Sequence, residues 1–288
     1  MDSISGYILL DSGDGRKLEQ FGDRIIDRPS SLSTWRRRQP RALWDNAHAR
    51  YSHPDRWEFS QRPFSTWVAE IAGVSIELEL MSNGQVGLFP EHATYLPHIG
   101  ETIQALGRAT KRPQKVLNLF AYTGLATCFC ANLENTQVTH VDLAKRAIER
   151  AKANAALNQI APDRVRWIVD DALSFMAREA RKASHYDVVI IDPPSFSRVS
   201  KQNTWTLDEK APEIVKLTLD VLNPERGVVY FTNHSSASTS DVARNIALDI
   251  FCDTRVAIDI HPLALNEQRS PRRLPAGALI VLSHGIQD

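Results

Sequence analysis

The chain has 288 residues, of which 43% are hydrophobic and 24% charged, as in an ordinary globular protein. Its 34 basic and 34 acidic residues balance, which excludes an overall positive field, so nucleic-acid binding would depend on local clusters. Three cysteines without framework spacing argue against a disulfide scaffold and favour the cytoplasm. We expect neither a signal peptide nor a membrane span.

The first 110 residues carry mainly strand patterns. Short strands are predicted at Tyr7–Leu10 and Lys17–Ile26. Val74–Leu80 alternates apolar and polar residues, and Val86–Phe89 is predicted to return as its hairpin partner after an Asn-Gly turn. We therefore predict that residues 1–110 form a β-rich N-terminal extension with a hairpin.

From residue 111 onward, strand and helix patterns alternate. The predicted strands are Lys115–Leu119, Gln137–Val141, Val165–Val169, Val188–Ile191, Gly227–Thr232, Arg255–Ile260 and Ala276–Leu282. The predicted helices are Gly124–Leu133, Lys145–Asn158, Ala172–Lys182, Asp208–Leu222 and Ser238–Phe251. Repeated strand–helix units imply a parallel sheet covered by helices, and two final strands without a helix between them imply an antiparallel last strand. Residues 111–288 are thus predicted to form an α/β, Rossmann-like sheet of seven strands.

Candidate binding residues follow the first four of these strands. They are the loop at 118–124, then Asp142, then Asp170 and Asp171, and finally Asp192. Open α/β sheets bind ligands at the carboxyl ends of their strands, so these residues are expected to share one site. Each acid alone could be only a helix cap, but their joint placement argues for a ligand.

The spacing of these residues indicates the kind of ligand. Gly124 allows a tight turn, and Asp142, 18 residues later, stands where an acid can accept hydrogen bonds from ribose hydroxyls. Asp171 could accept one from an adenine amino group. The glycine-rich dinucleotide and P-loop motifs are missing, and Phe120 and Tyr122 occupy the loop where a pyrophosphate needs bare backbone. S-adenosylmethionine therefore fits better than NAD or ATP.

The strand Val188–Ile191 ends in the motif Asp-Pro-Pro-Ser-Phe. Pro193 lacks a backbone donor and must stop the strand, and together with Pro194 it stiffens the turn. Asp192 can accept a hydrogen bond from an N–H, and Phe196 can stack on a ring. The segment could hold a planar nitrogen heterocycle, although a plain proline-rich loop is also compatible with it.

Taken together, these motifs resemble the class I S-adenosylmethionine-dependent methyltransferases, and most closely the group that makes 5-methylcytosine or 7-methylguanosine in 23S ribosomal RNA. The matching motifs are Asn-Leu-Phe-Ala-Tyr-Thr-Gly at 118–124, Val-Asp at 141–142, Ala-Leu-Asn at 156–158, Asp-Asp-Ala at 170–172 and Asp-Pro-Pro-Ser-Phe at 192–196. Residues 87–92 also resemble the hairpin that precedes the methyltransferase body, although the arginine common in that motif is absent.

The resemblance implies S-adenosylmethionine as cofactor and RNA, above all ribosomal RNA, as substrate. The implied cofactor residues are Phe120, Ala121, Tyr122, Thr123, Gly124, Asp142, Leu143, Asp170, Asp171 and Asp192. Asp142 would bind the ribose and Asp171 the adenine. The implied catalytic residues, which would face the methyl group and the target base, are Asp192, Pro193, Pro194 and Phe196.

The substrate atom is suggested by the cysteines. Methylation of carbon 5 of a pyrimidine needs a thiolate nucleophile. Cys128 and Cys130 fall in the first helix, Cys252 falls in a late one, and Asn233 stands where the cytosine-modifying relatives carry a cysteine. A base nitrogen is therefore the better target. In-line displacement at a sulfonium methyl needs no metal, and the histidines show no ligand spacing.

Several questions remain open at this level. The runs Arg36–Arg38 and Arg269–Arg273 are candidate phosphate contacts, but solvated loops are equally compatible with them. The alternatives to an RNA methyltransferase are a methyltransferase that acts on a small molecule or protein, and a cofactor-binding protein without catalysis. The oligomeric state is not predicted.

Overall fold

The computed structural model describes residues 4–52, 55–198, 204–234 and 256–285. For residues 196–198, 204, 205 and 208 it describes the backbone. The chain divides into two compact units. The N-terminal unit comprises Met1–Leu96, Ala156–Asn158 and Ala264–Ala276, and the sheet unit comprises Pro97–Ala155, Gln159–Leu263 and Gly277–Asp288. A domain boundary after residue 110 stays a prediction.

The N-terminal unit is rich in strands, as predicted. Its described strands are β1 (Tyr7–Gly13), β2 (Arg16–Phe21), β3 (Arg24–Pro29), β4 (Ala49–Ser52), β5 (Arg56–Phe59), β6 (Thr66–Ile71) and β7 (Val74–Glu79), and its short helix is α1 (Arg41–Asp45). Strands β1 to β5 form one sheet in that order, and β6 and β7 form a separate antiparallel pair. The predicted strand Lys17–Ile26 is two strands, because the chain turns at Gly22 with a φ of +61°.

The predicted partner of the hairpin strand is wrong. β7 pairs with the preceding strand β6, and residues 86–89 form no strand. The β6–β7 turn consists of Ala72 and Gly73, which both have positive φ, as a two-residue hairpin turn requires. Alanine rarely adopts this conformation, so the sequence gives little sign of the turn.

The predicted α/β sheet is confirmed. Its seven described strands are β8 (Gln114–Leu119), β9 (Thr136–Asp142), β10 (Val165–Val169), β11 (Val188–Ile191), β14 (Gly227–Asn233), β15 (Val256–Asn266) and β16 (Arg273–His284). They lie in the order β10-β9-β8-β11-β14-β16-β15, and the first five are parallel. β16 runs antiparallel to β14, as predicted for the last strand. Between β11 and β14 the chain adds a small hairpin of β12 (Phe196–Arg198) and β13 (Thr204–Thr206).

One helix precedes the first parallel strand and the others connect the parallel strands. Those described are α2 (Leu96–Thr110), α3 (Leu125–Asn132), α4 (Lys145–Leu157), α5 (Ala172–Arg181) and α6 (Leu207–Val221). The sequence analysis missed α2, and the predicted helix Ser238–Phe251 lies outside the described residues. Throughout the described part of the chain, no helix combines the length and the apolar character that a membrane crossing needs.

Strand β11 is the best-buried strand of the sheet. All four of its residues are at most 1% exposed, which explains its unbroken β-branched sequence. It pairs with β8 on one side and β14 on the other, with Ile191 opposite Leu119 and Phe231. The next residue, Asp192, is therefore held at the edge of a rigid, buried strand.

The opposite end of β11 is anchored by Asp187. Its carboxylate accepts hydrogen bonds from the guanidinium of Arg112 at 2.6 and 2.7 Å, from the N–H of Lys115 at 2.9 Å and from the amide of Asn223 at 2.8 Å. Burial alone would raise the pKa of Asp187, but these hydrogen bonds hold it below its usual value. The carboxylate thus ties the starts of β8 and β11 to the loop before β14.

We expect Asp187→Asn to lower the free energy of unfolding by about 2–3 kcal/mol, because it removes charge-assisted hydrogen bonds at a buried site. Chemical denaturation would measure the loss, with Asp220→Asn on the exposed face of α6 as the matched control. The folded pKa of Asp187 is lowered, so its contribution is present above the usual Asp pKa and is lost as pH falls through the folded pKa. Equal losses in the two variants, or a loss independent of pH, would contradict this role.

Candidate active site

The predicted binding residues meet at one edge of the sheet. The loop at 120–124, Asp142, Asp171 and Asp192 follow the carboxyl ends of β8, β9, β10 and β11, which are neighbours in the sheet. The chain proceeds outward from β8 through β9 to β10, then returns to place β11 on the other side of β8. Open α/β sheets bind their ligands at such a reversal, which here lies between the loops after β8 and β11.

The loop after β8 has an unusual backbone. Phe120, Tyr122 and Gly124 have φ angles of +55°, +48° and +87°, so every second residue is left-handed. A residue other than glycine in this conformation costs about 1–2 kcal/mol. Neighbouring elements hold the loop in place. The N–H of Ala121 donates to the carbonyl of Val141 at 3.1 Å, and the loop accepts one hydrogen bond from helix α4.

Asp142 fixes the centre of this loop. Its Oδ2 accepts the N–H of Tyr122 at 2.8 Å, and its Oδ1 accepts the N–H of Ala144 at 2.8 Å. Burial raises the pKa of Asp142, and these two hydrogen bonds offset that shift only in part. A carboxylate has about four lone-pair positions, so it can accept further hydrogen bonds from a ligand. The next residue, Leu143, is 62% exposed and offers an apolar face beside the carboxylate.

Gly124 joins the loop to helix α3. A Cβ at this position would lie 2.9 Å from the Cβ of Ala151 on helix α4, closer than side chains normally approach. The amide of Asn154, also on α4, donates to the carbonyl of Thr123 at 2.9 Å, and Asn154 is fully buried. The loop therefore rests directly on α4, which requires glycine at position 124.

A buried polar chain lies beneath the loop. The amide of Asn118 donates to Thr127 Oγ1 at 2.9 Å, and Thr127 Oγ1 lies 2.9 Å from Nδ1 of His140. Burial lowers the pKa of His140 to about 3, so its ring is neutral at physiological pH. These three residues link β8, α3 and β9, and no motif in the sequence identified Thr127 or His140.

Asp170 and Asp171 have structural partners at the end of β10. Asp171 is the N-cap of α5, with Oδ1 accepting the N–H of Ser174 at 2.9 Å. Asp170 accepts the N–H of Asp171 at 2.9 Å and forms an ion pair with Arg178. Asp171 therefore caps a helix, which was the alternative to ligand binding in the sequence analysis. Cofactor binding by these two acids stays a prediction.

Asp192 is held by strand β14. Its Oδ1 accepts a hydrogen bond from the hydroxyl of Thr232 and lies 2.8 Å from Nε2 of His234. The side chain is 18% exposed, so it is accessible to a small group at the sheet edge. The sequence analysis noted only that the histidines lack ligand spacing and did not single out His234. Its partner is set by the register of β11 and β14, which no local motif reveals.

The other residues of the Asp-Pro-Pro-Ser-Phe motif differ in exposure. Pro193 is buried and Pro194 is exposed, so the turn presents one ring outward. Phe196 begins β12, but its side chain lies outside the described residues, and its stacking role stays a prediction.

The described cysteines are structural. Cys128 and Cys130 are fully buried in α3, and burial raises the pKa of Cys128 to about 12 and that of Cys130 further still. Asn233 is 4% exposed in β14, and Cys252 lies outside the described residues. A thiolate needs a lowered pKa, so neither described cysteine suits nucleophilic attack.

Comparison with known proteins agrees with this geometry. Residues 9–245 match the sequence profile of a family described as S-adenosylmethionine-dependent methyltransferase. Two similar proteins are the ribosomal RNA large subunit methyltransferases K/L of Syntrophotalea carbinolica and Shewanella pealeana. The first is 35% identical over 129 residues, which are 44% of this chain and 17% of the relative. The second is 31% identical over 201 residues, which are 69% of this chain and 26% of the relative. The chain thus spans about a quarter or less of these relatives.

One solved structure is similar over nearly the full chain. It is a SAM-dependent methyltransferase from Agrobacterium tumefaciens, with a TM-score of 0.88 and 29% sequence identity. The match covers 99% of this chain and 92% of that protein. The N-terminal unit and the sheet unit therefore occur together in another protein of nearly the same length.

We expect Gly124→Ala to destabilise the protein by about 1–2 kcal/mol from the left-handed φ alone, with a further loss from contact with Ala151. The double variant Gly124→Ala/Ala151→Gly removes the contact and keeps the φ cost. Ala151→Gly by itself is the control and should cost about 1 kcal/mol through helix propensity. A cycle of urea-denaturation measurements separates the two effects. If Gly124→Ala costs the same in both backgrounds, the contact is unimportant.

Proposed function

This chain belongs to the S-adenosylmethionine-dependent methyltransferase family, and from that premise we propose that it methylates a nitrogen atom of an RNA base, above all in ribosomal RNA. The observation that carries the proposal is Asp192, an accessible carboxylate held rigidly between strands beside the cofactor loop. The RNA class is supported by relatives named for ribosomal RNA, of which this chain spans 17% and 26%.

S-adenosylmethionine is the cofactor of this family, and the loop after β8 suits a nucleoside. When bound, the cofactor would supply an electrophilic methyl group on a sulfonium, with the thioether S-adenosylhomocysteine as the leaving group. We assign residues 120–124 to its lining and Asp142 to its ribose hydroxyls, because the carboxylate is already fixed by two backbone N–H groups. The exposed side chain of Leu143 would pack against the adenine ring. Asp171, and Asp170 beside it, would lie at the adenine edge.

Asp192 would position the target base. Thr232 and His234 hold one carboxylate oxygen, which fixes the orientation of the group before substrate arrives. The carboxylate would then accept a hydrogen bond from an N–H on the base edge, with Pro193, Pro194 and Phe196 as the surrounding wall. A base in structured RNA must be unstacked to enter such a site. The residues thus act by positioning, and we expect no metal requirement.

A nitrogen target is favoured over a carbon target. Carbon-5 chemistry requires a thiolate, whereas the described cysteines are buried and have raised pKa values. Asn233 occupies the place of the expected nucleophile. A ring nitrogen has a lone pair and needs only correct orientation toward the methyl group. A cytoplasmic location, where ribosomal RNA is available, belongs to the same proposal.

The proposal is tested by labelled-methyl transfer from S-adenosylmethionine to total RNA and intact ribosomal subunits from a strain that lacks the gene. Nucleoside mass spectrometry would then identify the product. We expect a methylated base nitrogen that is absent from the deletion strain. Cofactor binding without methylation of any RNA would overturn the proposal, and labelled protein or small molecules in an extract would point to the alternative substrates.

We expect the affinity for S-adenosylmethionine to depend on the charge of Asp142. Burial raises the pKa of Asp142 above the usual value of 3.8. As the pH is lowered, Asp142 should therefore be protonated, and cofactor binding should weaken, earlier than expected for an ordinary Asp. In the cofactor-free protein the same shift contributes stability at low pH that is lost as pH rises through the folded pKa.

Isothermal titration calorimetry across the acidic range would measure this dependence. Asp142→Asn should bind about tenfold more weakly at neutral pH, a loss of about 1.4 kcal/mol, with no pH dependence over that range. Glu149→Gln on the exposed face of α4 is the control. Equal pH profiles for the wild type and Asp142→Asn would exclude Asp142 as the titrating group.

We expect Asp192→Ala to reduce kcat by at least about a hundredfold, because a preorganised charged group at the reacting centre is lost. Its affinity for S-adenosylmethionine should stay within about twofold of wild type. Thr232→Val, which removes one donor to the carboxylate, should give a smaller loss of kcat, about tenfold. Single-turnover methylation and cofactor titration are the measurements. Full activity in Asp192→Ala would remove this residue from the mechanism.

A further inference from the structure

Two arginine-bearing segments, far apart in sequence, meet in the N-terminal unit. Nη1 of Arg272 donates to the carbonyl of Arg36 at 2.8 Å, and Nη1 of Arg38 lies 3.4 Å from Oγ of Ser270. Both segments belong to the same compact unit. We define the arginine surface as Arg36, Arg38, Arg269, Arg272 and Arg273.

Buried carboxylates hold the first of these segments against β1. Asp11 is fully buried and accepts the backbone N–H groups of Arg38 and Gln39, the latter at 2.9 Å, and the indole N–H of Trp44 at 2.9 Å. Position 13 is glycine, and a Cβ there would lie 2.5 Å from the N of Arg37. These contacts fix the backbone of this segment in addition to the hydrogen bond that Arg272 donates to Arg36.

A second buried carboxylate holds the other segment. Glu267 is 4% exposed and accepts the N–H and the hydroxyl of Ser12, both at 2.8 Å. The next N–H, that of Gln268, donates to the carbonyl of Leu9 at 2.8 Å. Both segments are thus attached to β1 mainly through N–H and O–H donors, so most of the positive charge of their exposed arginines is not used to hold them.

In the described part of the chain, two nearby arginines outside the arginine surface have carboxylate partners, unlike the members of that surface. Arg37 lies 3.6 Å from Asp14 and 4.0 Å from the ring centroid of Trp44, and Arg41 lies 3.3 Å from Asp45. Among the residues that the structure describes, no member of the arginine surface forms an ion pair with a carboxylate. Four of its members are exposed, and Arg272 is half-buried. A chain with balanced charges has thus concentrated uncompensated positive charge here.

We propose that the arginine surface binds the phosphate backbone of the RNA substrate, an inference that rests on the proposed function. Guanidinium groups contact phosphates through paired N–H donors and release condensed counterions when they do so. Membrane binding would favour apolar side chains beside the cations. Leu32 is the one large exposed hydrophobic residue described within residues 31–41 and 264–276, so RNA fits this surface better.

The test uses the full chain with Arg36→Gln/Arg269→Gln/Arg273→Gln, which changes three exposed side chains without a described ion pair. Arg108→Gln/Arg181→Gln/Lys216→Gln, on exposed positions of α2, α5 and α6, is the matched control. Affinity for a ribosomal RNA fragment is measured from about 0.05 to 0.3 M salt. We expect at least tenfold weaker binding and a log–log salt slope reduced by about 2, from three lost phosphate contacts at about 0.7 each. The control should keep the wild-type values.

A second variant with lysine at the same three positions keeps the charge. It should retain the wild-type salt slope, because counterion release depends on charge, while a distorted fold would lower affinity in both variants. Cofactor affinity and the unfolding midpoint should be unchanged in all three proteins. When methylation rates are measured over a range of RNA concentrations, the glutamine variant should show a raised KM for RNA with an unchanged kcat.

The outcomes separate this surface from the proposed function. If RNA binding depends on the arginine surface but the protein methylates no RNA, the proposed role of the surface is supported and the proposed RNA methylation is overturned. If the glutamine variant is active and its RNA affinity and salt slope are unchanged, only the proposal that the arginine surface binds RNA is overturned. Loss of binding to phosphatidylglycerol vesicles, with RNA affinity intact, would assign the surface to a membrane and overturn the proposal.

Discussion

The hydrogen bond from the N–H of Tyr122 to Asp142 is the interaction on which the candidate site depends. It joins the loop after β8 to the end of β9 and holds a left-handed residue that would otherwise be unfavourable by about 1–2 kcal/mol. Gly124 follows in the same conformation and directs the chain into α3. The carboxylate that organises the loop is also the one available to a ribose. In the proposed site, the structure of the loop and the binding of the ribose therefore depend on the same charge.

The two carboxylates that flank β11 have different tasks because their surroundings differ. Asp187, at the start of the strand, is bonded by a guanidinium, an amide and a backbone N–H, which holds its pKa low and fixes the strand. Asp192, at the other end, is held by a hydroxyl and an imidazole and remains partly exposed. The fully buried strand between them transmits the anchoring of one end to the position of the other.

The sequence was sufficient for the features that depend on local patterns. The β11 strand and the acids at successive strand ends followed from periodicity and spacing, and the parallel sheet followed from the alternation of strands and helices. The features it missed depend on distant pairing. His234 reaches Asp192 through the register of two strands, and β6 pairs with β7 across a turn in which Ala72 is left-handed. Helix α2 contains two glycines, which weaken its local signal.

Charge balance and charge placement have different consequences for binding. With 34 basic and 34 acidic residues, the chain has no net attraction for a polyanion at long range. The positive charge at Arg36, Arg38 and Arg273 is therefore a local excess, which negative charge elsewhere in the sequence offsets. The proposed contact with a phosphate backbone would then depend on this local excess and not on the net charge. In this proposal the N-terminal unit supplies affinity for the backbone, and the geometry around Asp192 supplies the choice of the methylated atom.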